Sequence, residues 1–60
     1  MKKVSDINNT DNMKVAGMYL KVNTVWEDDQ GHWNIALDNR QGNTILVLRF
    51  DVDRWIETFN

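Results

Sequence analysis

Twice in this chain a short polar cluster ends in Gln-Gly: Glu27-Asp28-Asp29-Gln30-Gly31 and Asp38-Asn39-Arg40-Gln41-Gly42. A glycine at the end of such a cluster can take the left-handed conformation that closes a short hairpin. Asp and Asn side chains hydrogen-bond their own backbone in turns. Two closures of this kind, with His32–Asp38 between them, predict a meander of antiparallel strands. Their likeness is read as shared turn chemistry rather than as a duplicated unit.

The segments that flank the turns carry the matching period. From Met13 to Trp26, Ala16, Met18, Leu20, Val22, Thr24 and Trp26 fall on one face, and Val15, Gly17, Tyr19, Lys21, Asn23 and Val25 on the other. Alternation with β-branched and aromatic residues predicts a strand, with Gly17 as the place for a bulge or bend. In His32–Asp38, Trp33, Ile35 and Leu37 share one face. In the third strand, Asn43–Phe50, the alternation fails, because Ile45, Leu46, Val47, Leu48 and Phe50 make both faces apolar. The period then changes. Val52, Trp55, Ile56 and Phe59 stand at i, i+3, i+4 and i+7, the stripe of a helix, and Asp51 or Asp53 can cap its start. A helix of about two turns is marginal alone, so the stripe is expected to pack on the sheet with Trp55 in the core. Residues 1–12 are polar and Asn-rich and are read as an N-terminal arm. Residues 13–60 are read as a single β-β-β-α domain: α+β, mostly β, a three-stranded meander with one short C-terminal helix on one face.

Sixty residues make one domain. A chain this short buries only about 60 % of its unfolded surface, so aids to stability matter. There is no Cys and His32 is the only histidine, which excludes disulfides, thiolate zinc sites and His-based metal clusters. No metal and no cofactor is expected; a partner chain is the aid that remains. The absence of Cys fits a reducing cytoplasm, and the longest apolar run, Ile45-Leu46-Val47-Leu48, is far too short to span a membrane. Net charge is −2, with seven basic and nine acidic residues, and the basic ones are scattered. Nucleic-acid affinity draws on phosphate neutralisation, so a protein partner is favoured over nucleic acid.

Catalysis needs titratable groups converging in one pocket. Glu27, Asp28 and Asp29 lie together, but on a turn. His32 has no second functional group in its neighbourhood of sequence, and Ser5 lies in the polar arm. The chain is therefore read as non-catalytic. Tyr19 stands out among the aromatics: it shares its face with Lys21 and Asn23, a setting that suits an interface anchor or a base-stacking platform. Tyr19, Lys21, Lys14 and Arg49 form the candidate ligand or partner face.

Two families share this pattern. Val15-Ala16-Gly17-Met18-Tyr19-Leu20-Lys21-Val22, then Gly31-His32-Trp33-Asn34-Ile35-Ala36-Leu37-Asp38, then Gly42-Asn43-Thr44-Ile45-Leu46-Val47 resembles the first half of an OB-fold, with Lys3-Val4-Ser5-Asp6-Ile7 as its lead-in. That resemblance implies single-stranded nucleic-acid binding by a half-barrel that dimerisation completes. Gly31, Trp33, Asp38, Gly42, Phe50 and Trp55 also fall at spacings similar to those of the three-strands-then-helix DNA-binding domain at the N-terminus of phage-type tyrosine integrases. That family places basic and hydroxyl residues where this chain has Ile45-Leu46-Val47-Leu48.

The apolar surplus on the third strand carries the main expectation. One helix covers one face of a sheet, and an open apolar edge strand invites another chain. The expected function is a non-catalytic interaction module that self-associates as a homodimer through Ile45, Val47, Leu46 and Leu48. A small phage or mobile-element inhibitor or accessory protein would fit that description. The alternative is the OB-like nucleic-acid binder.

Overall fold

The computed structural model describes residues 1–59. In chain order they form β1 (Lys2–Lys3), a 3-10 turn (Val4–Asp6), β2 (Asn12–Val15), β3 (Met18–Glu27), β4 (His32–Asp38), β5 (Thr44–Asp51), β6 (Trp55–Ile56) and β7 (Thr58–Phe59). Five of these strands make one antiparallel sheet in the order β5-β4-β3-β2-β7, and β1 pairs with β6 in a second sheet of two strands. The three-stranded meander with a C-terminal helix is therefore corrected: the described residues hold no α-helix and the sheets have five and two strands. Asn60, the last residue of the expected domain, lies outside the described residues.

The helical stripe at the C-terminus is two short strands instead. Arg54 closes a turn by donating to the Asp51 carbonyl at 3.1 Å, and Val4 donates to the Arg54 carbonyl at 2.7 Å. Ile56 then lies opposite Lys2 and Trp55 opposite Lys3, while Phe59 lies opposite Asn12 and Thr58 opposite Met13. Two turns of isolated helix have little stability of their own, and these backbone partners at the other end of the chain displace them. Trp55, expected in the core, is 58 % exposed.

The turns behave as their residues dictate. In the first, Gly31 donates to the Asp28 carbonyl, Asp28 donates to the His32 carbonyl, and Asp28 Oδ1 accepts from the N–H groups of Gln30 and His32. In the second, Gly42, Asn39, Asn43 and Gln41 repeat the same four bonds, with Asn39 Oδ1 as the acceptor. Gly31 and Gly42 have φ of 77° and 83°, as a three-residue loop with a left-handed closing glycine requires.

The segment expected as one long strand is a third hairpin. Val15 pairs with Met18, and Ala16 and Gly17 between them have φ of 51° and 81°. Positive φ at both central residues is the demand of the tight two-residue turn whose twist suits a hairpin. The bulge lies elsewhere: Val22 pairs with Leu37 and Thr24 with Ala36, which leaves Asn23 as an extra residue in β3. An extra residue reverses the alternation beyond it. Leu20 and Val22 point into the core before the bulge, and Val25 packs against it after the bulge. Trp26, expected on the Leu20 face, is turned out and 41 % exposed.

The core is built from Leu20 and Val22 of β3, Ile35 and Leu37 of β4, Met13 of β2, and Val4 and Ile7. The last two belong to the segment expected as a polar arm. The 3-10 turn at Val4–Asp6 places both of them inward, 0 % and 2 % exposed. Asp11 closes this segment from within. Its side chain is fully buried, and Oδ2 accepts from Lys2 Nζ at 3.0 Å and from the Asn8 N–H at 3.1 Å.

Candidate functional site

Strand β5 stands at one edge of the five-stranded sheet. Its pairing with β4 sets Leu46 opposite Leu37, Leu48 opposite Ile35 and Phe50 opposite Trp33, so these three face the core and are half-buried. Ile45 and Val47 point the other way and are 46 % and 51 % exposed. The four residues expected as one self-association surface are thus divided. Leu46 and Leu48 belong to the core wall, and Ile45 and Val47 form the exposed apolar part. Ile45 is also the unpaired residue of a second bulge, since Leu37 pairs with Leu46 and Asp38 with Thr44.

The candidate partner face is likewise divided. Lys14 lies directly opposite Tyr19 across the β2–β3 pair, and Lys21 follows Tyr19 on the same face. Lys14 Nζ sits 5.4 Å from the centroid of the Tyr19 ring, and Phe59 meets that ring edge-on with centroids 5.2 Å apart. Tyr19 remains 56 % exposed. Arg49 is not part of this group. It lies on β5 opposite Asn34, near the far end of the sheet.

There Arg49 joins a polar network around Asp28. Arg49 Nε is 3.1 Å from Asp28 Oδ2, which also accepts from Asn34 Nδ2 at 3.0 Å, and Arg49 donates to the Gln30 side chain. The Asn34 hydrogen bond first, then the backbone bonds from the loop and the charge of Arg49, lower the Asp28 carboxyl to a pKa of about 2. His32 Nδ1 lies 2.9 Å from Arg49 Nη2. An arginine only donates, so Nδ1 accepts, which leaves the proton of a neutral ring on Nε2, 3.4 Å from Asp51 Oδ1. This carboxylate and this imidazole are committed to holding the β3–β4 loop against β5. Among the described residues, no three His, Cys, Asp or Glu side chains are placed to share a metal ion.

Two open grooves lie at opposite ends of the sheet. One, of about 570 Å³, is lined by Gln30, Gly31, His32, Asp51, Val52, Asp53 and Arg54. The other, of about 370 Å³, lies between the tips of the β2–β3 and β4–β5 hairpins and is lined by Gly17, Met18, Tyr19, Leu20, Asn39, Arg40, Gln41 and Ile45. It joins Tyr19 to Ile45, two residues that alternation assigned to separate surfaces. Arg40 and Phe59 are neighbours of Tyr19 that the sequence does not show. Phe59 comes near because β7 pairs with β2 where a helix is expected, and Arg40 because the two hairpin tips lie side by side.

No protein-family model, no curated protein and no solved structure matches this chain.

Proposed function

We propose that this protein is a non-catalytic interaction module that self-associates by pairing β5 with the β5 of a second copy, in the manner of a small inhibitor or accessory subunit. The observation that carries the reading is the edge position of an eight-residue strand with Ile45 and Val47 exposed. An edge strand presents a row of backbone donors and acceptors to another chain, and natural edges are commonly blunted by charge or by a bulge, of which β5 has one at Ile45, near its start. On β5 the charged residues are Arg49 and Asp51, at its C-terminal end. Arg49 is drawn to Asp28 and Gln30. The Thr44–Leu48 stretch carries no charge. A twofold axis through this half sets like strands antiparallel and makes one continuous sheet from two.

Sedimentation velocity over a range of micromolar concentrations tests the reading. A dimer is expected for the wild type. Val47→Lys is expected to give a monomer with an unchanged far-ultraviolet circular dichroism spectrum. A wild-type monomer at every concentration removes the proposal.

A further inference from the structure

We infer that the groove between the β2–β3 and β4–β5 hairpin tips is a docking site for an acidic peptide segment of a partner protein, anchored by an apolar side chain. Three observations lead there. First, the groove lining includes the large apolar side chains of Met18, Tyr19 and Ile45, which are 47 %, 56 % and 46 % exposed. Its volume of about 370 Å³ is in the range of about 300–1,000 Å³ that binding clefts occupy. Tyr, Met and Arg are also residue types enriched at protein interfaces.

Second, the charges of the molecule are sorted along the sheet. Arg40 lines this groove, and Lys14 and Lys21 flank Tyr19. Among the described residues the lysine and arginine ion pairs are made by Lys2 and Arg49, so Lys14, Lys21 and Arg40 are committed to no carboxylate. Two acidic residues lie at this end: Asp38, opposite Lys21, whose oxygens already accept from Asn23 and Thr44, and Glu57, next in register to Lys14 across β2 and β7. At the other end, around the β3–β4 loop and the turn after β5, Glu27, Asp28, Asp29, Asp51 and Asp53 outnumber Arg49 and Arg54. A domain of net charge −2 thus presents a positive end, which steers an anionic partner to the groove.

Third, the aromatic ring at the site is already engaged. Lys14 lies over the Tyr19 ring and Phe59 meets it edge-on. A nucleobase needs an open ring face to stack on, and Arg49, the remaining cation of the candidate face, is held at the opposite end. Carboxylates on a peptide can meet Lys14, Lys21 and Arg40 without disturbing that arrangement.

The groove shares Ile45 with the proposed β5 pairing but not Val47, so a variant at Val47 keeps the two tests apart. Phage-displayed random dodecapeptides are selected on the purified protein, and oligothymidylate is run beside them as a nucleic-acid probe. The expected selection is acid-rich sequences with an apolar or aromatic anchor. Their affinity is expected to fall at least about fivefold in Arg40→Glu and in Lys14→Glu, and with added salt, as for charge-steered contacts. Both variants change exposed side chains, and their thermal unfolding is followed to confirm an intact fold. Val47→Lys is expected to bind the same peptides as the wild type, so loss of self-association leaves this result standing. No enrichment, selection of basic sequences, affinities indifferent to both charge reversals, or preferential binding of oligothymidylate overturns the inference.

Discussion

Lys2 Nζ lies 3.0 Å from Asp11 Oδ2, and the Asp11 side chain is fully buried while that of Lys2 remains 35 % exposed. The pair is unequal. Losing the aspartate leaves a lysine that can reach water, whereas losing the lysine leaves a buried carboxylate with one hydrogen bond from Asn8. Removing one partner of a buried pair costs about 3–5 kcal/mol when a charge is stranded. Lys2→Met is therefore expected to destabilise by about 3 kcal/mol and Asp11→Asn by less. Urea unfolding of the two variants decides it; an equal cost would mean that Lys2 contributes nothing beyond a surface ion pair.

Ala16 holds a positive φ that its Cβ disfavours. The two-residue turn prefers Asn-Gly to the Ala-Gly found here. Ala16→Asn is expected to stabilise by about 0.5–1 kcal/mol, and Ala16→Val to destabilise. A lower melting temperature for the Asn variant would contradict the turn geometry.

Truncation should cost far more at Ile7 than at Trp55. Ile7→Ala empties a site that is 2 % exposed and is expected to cost about 3 kcal/mol. Trp55→Ala trims a side chain that is 58 % exposed and is expected to cost less than about 1 kcal/mol. Denaturation midpoints in the reverse order would restore the C-terminal stripe to the core.

Acid should weaken the loops. Asp28 falls to a pKa of about 2 from an ordinary 3.8, and Asp38 is lowered by the Asn23 and Thr44 hydrogen bonds. A depressed folded-state pKa contributes stability that is present above the unfolded value and is lost as pH falls through the folded one. Stability is expected to decline from about pH 4 towards pH 2, and Asp28→Asn is expected to show a shallower decline. Unfolding curves collected across that window test this; parallel declines in variant and wild type would remove Asp28 from the account.

Some of this was legible locally. The β4 strand, both Gln-Gly loops and the left-handed glycines within them follow from short-range chemistry. Turn residues and period-two alternation act between neighbours in the chain. On β5 the residues did not say which face is exposed, because Ile45, Leu46, Val47 and Leu48 are all apolar. The Tyr19–Lys14 contact was not visible, because it depends on the Ala16-Gly17 hairpin, where alternation predicts one continuous strand.

The rest depended on partners far away in sequence. One extra residue at Asn23 reverses the face of Val25 and Trp26, and a bulge has no signal in the residue itself when its cause is register against β4. Val52, Trp55, Ile56 and Phe59 match a helix as well as any short apolar set can. Helix or strand is then decided by whether backbone partners are offered, and β1 and β2 offer them. Val4 and Ile7 look like stray apolar residues in a polar arm until the Lys2–Asp11 pair and the β1–β6 ladder draw that arm inward. The sequence by itself determined the turns and the alternating β character, which are local. Only the tertiary structure decided which strands close the sheet, which aromatic rings remain outside and which hairpin tips frame the groove, because those depend on pairing between the two ends of the chain.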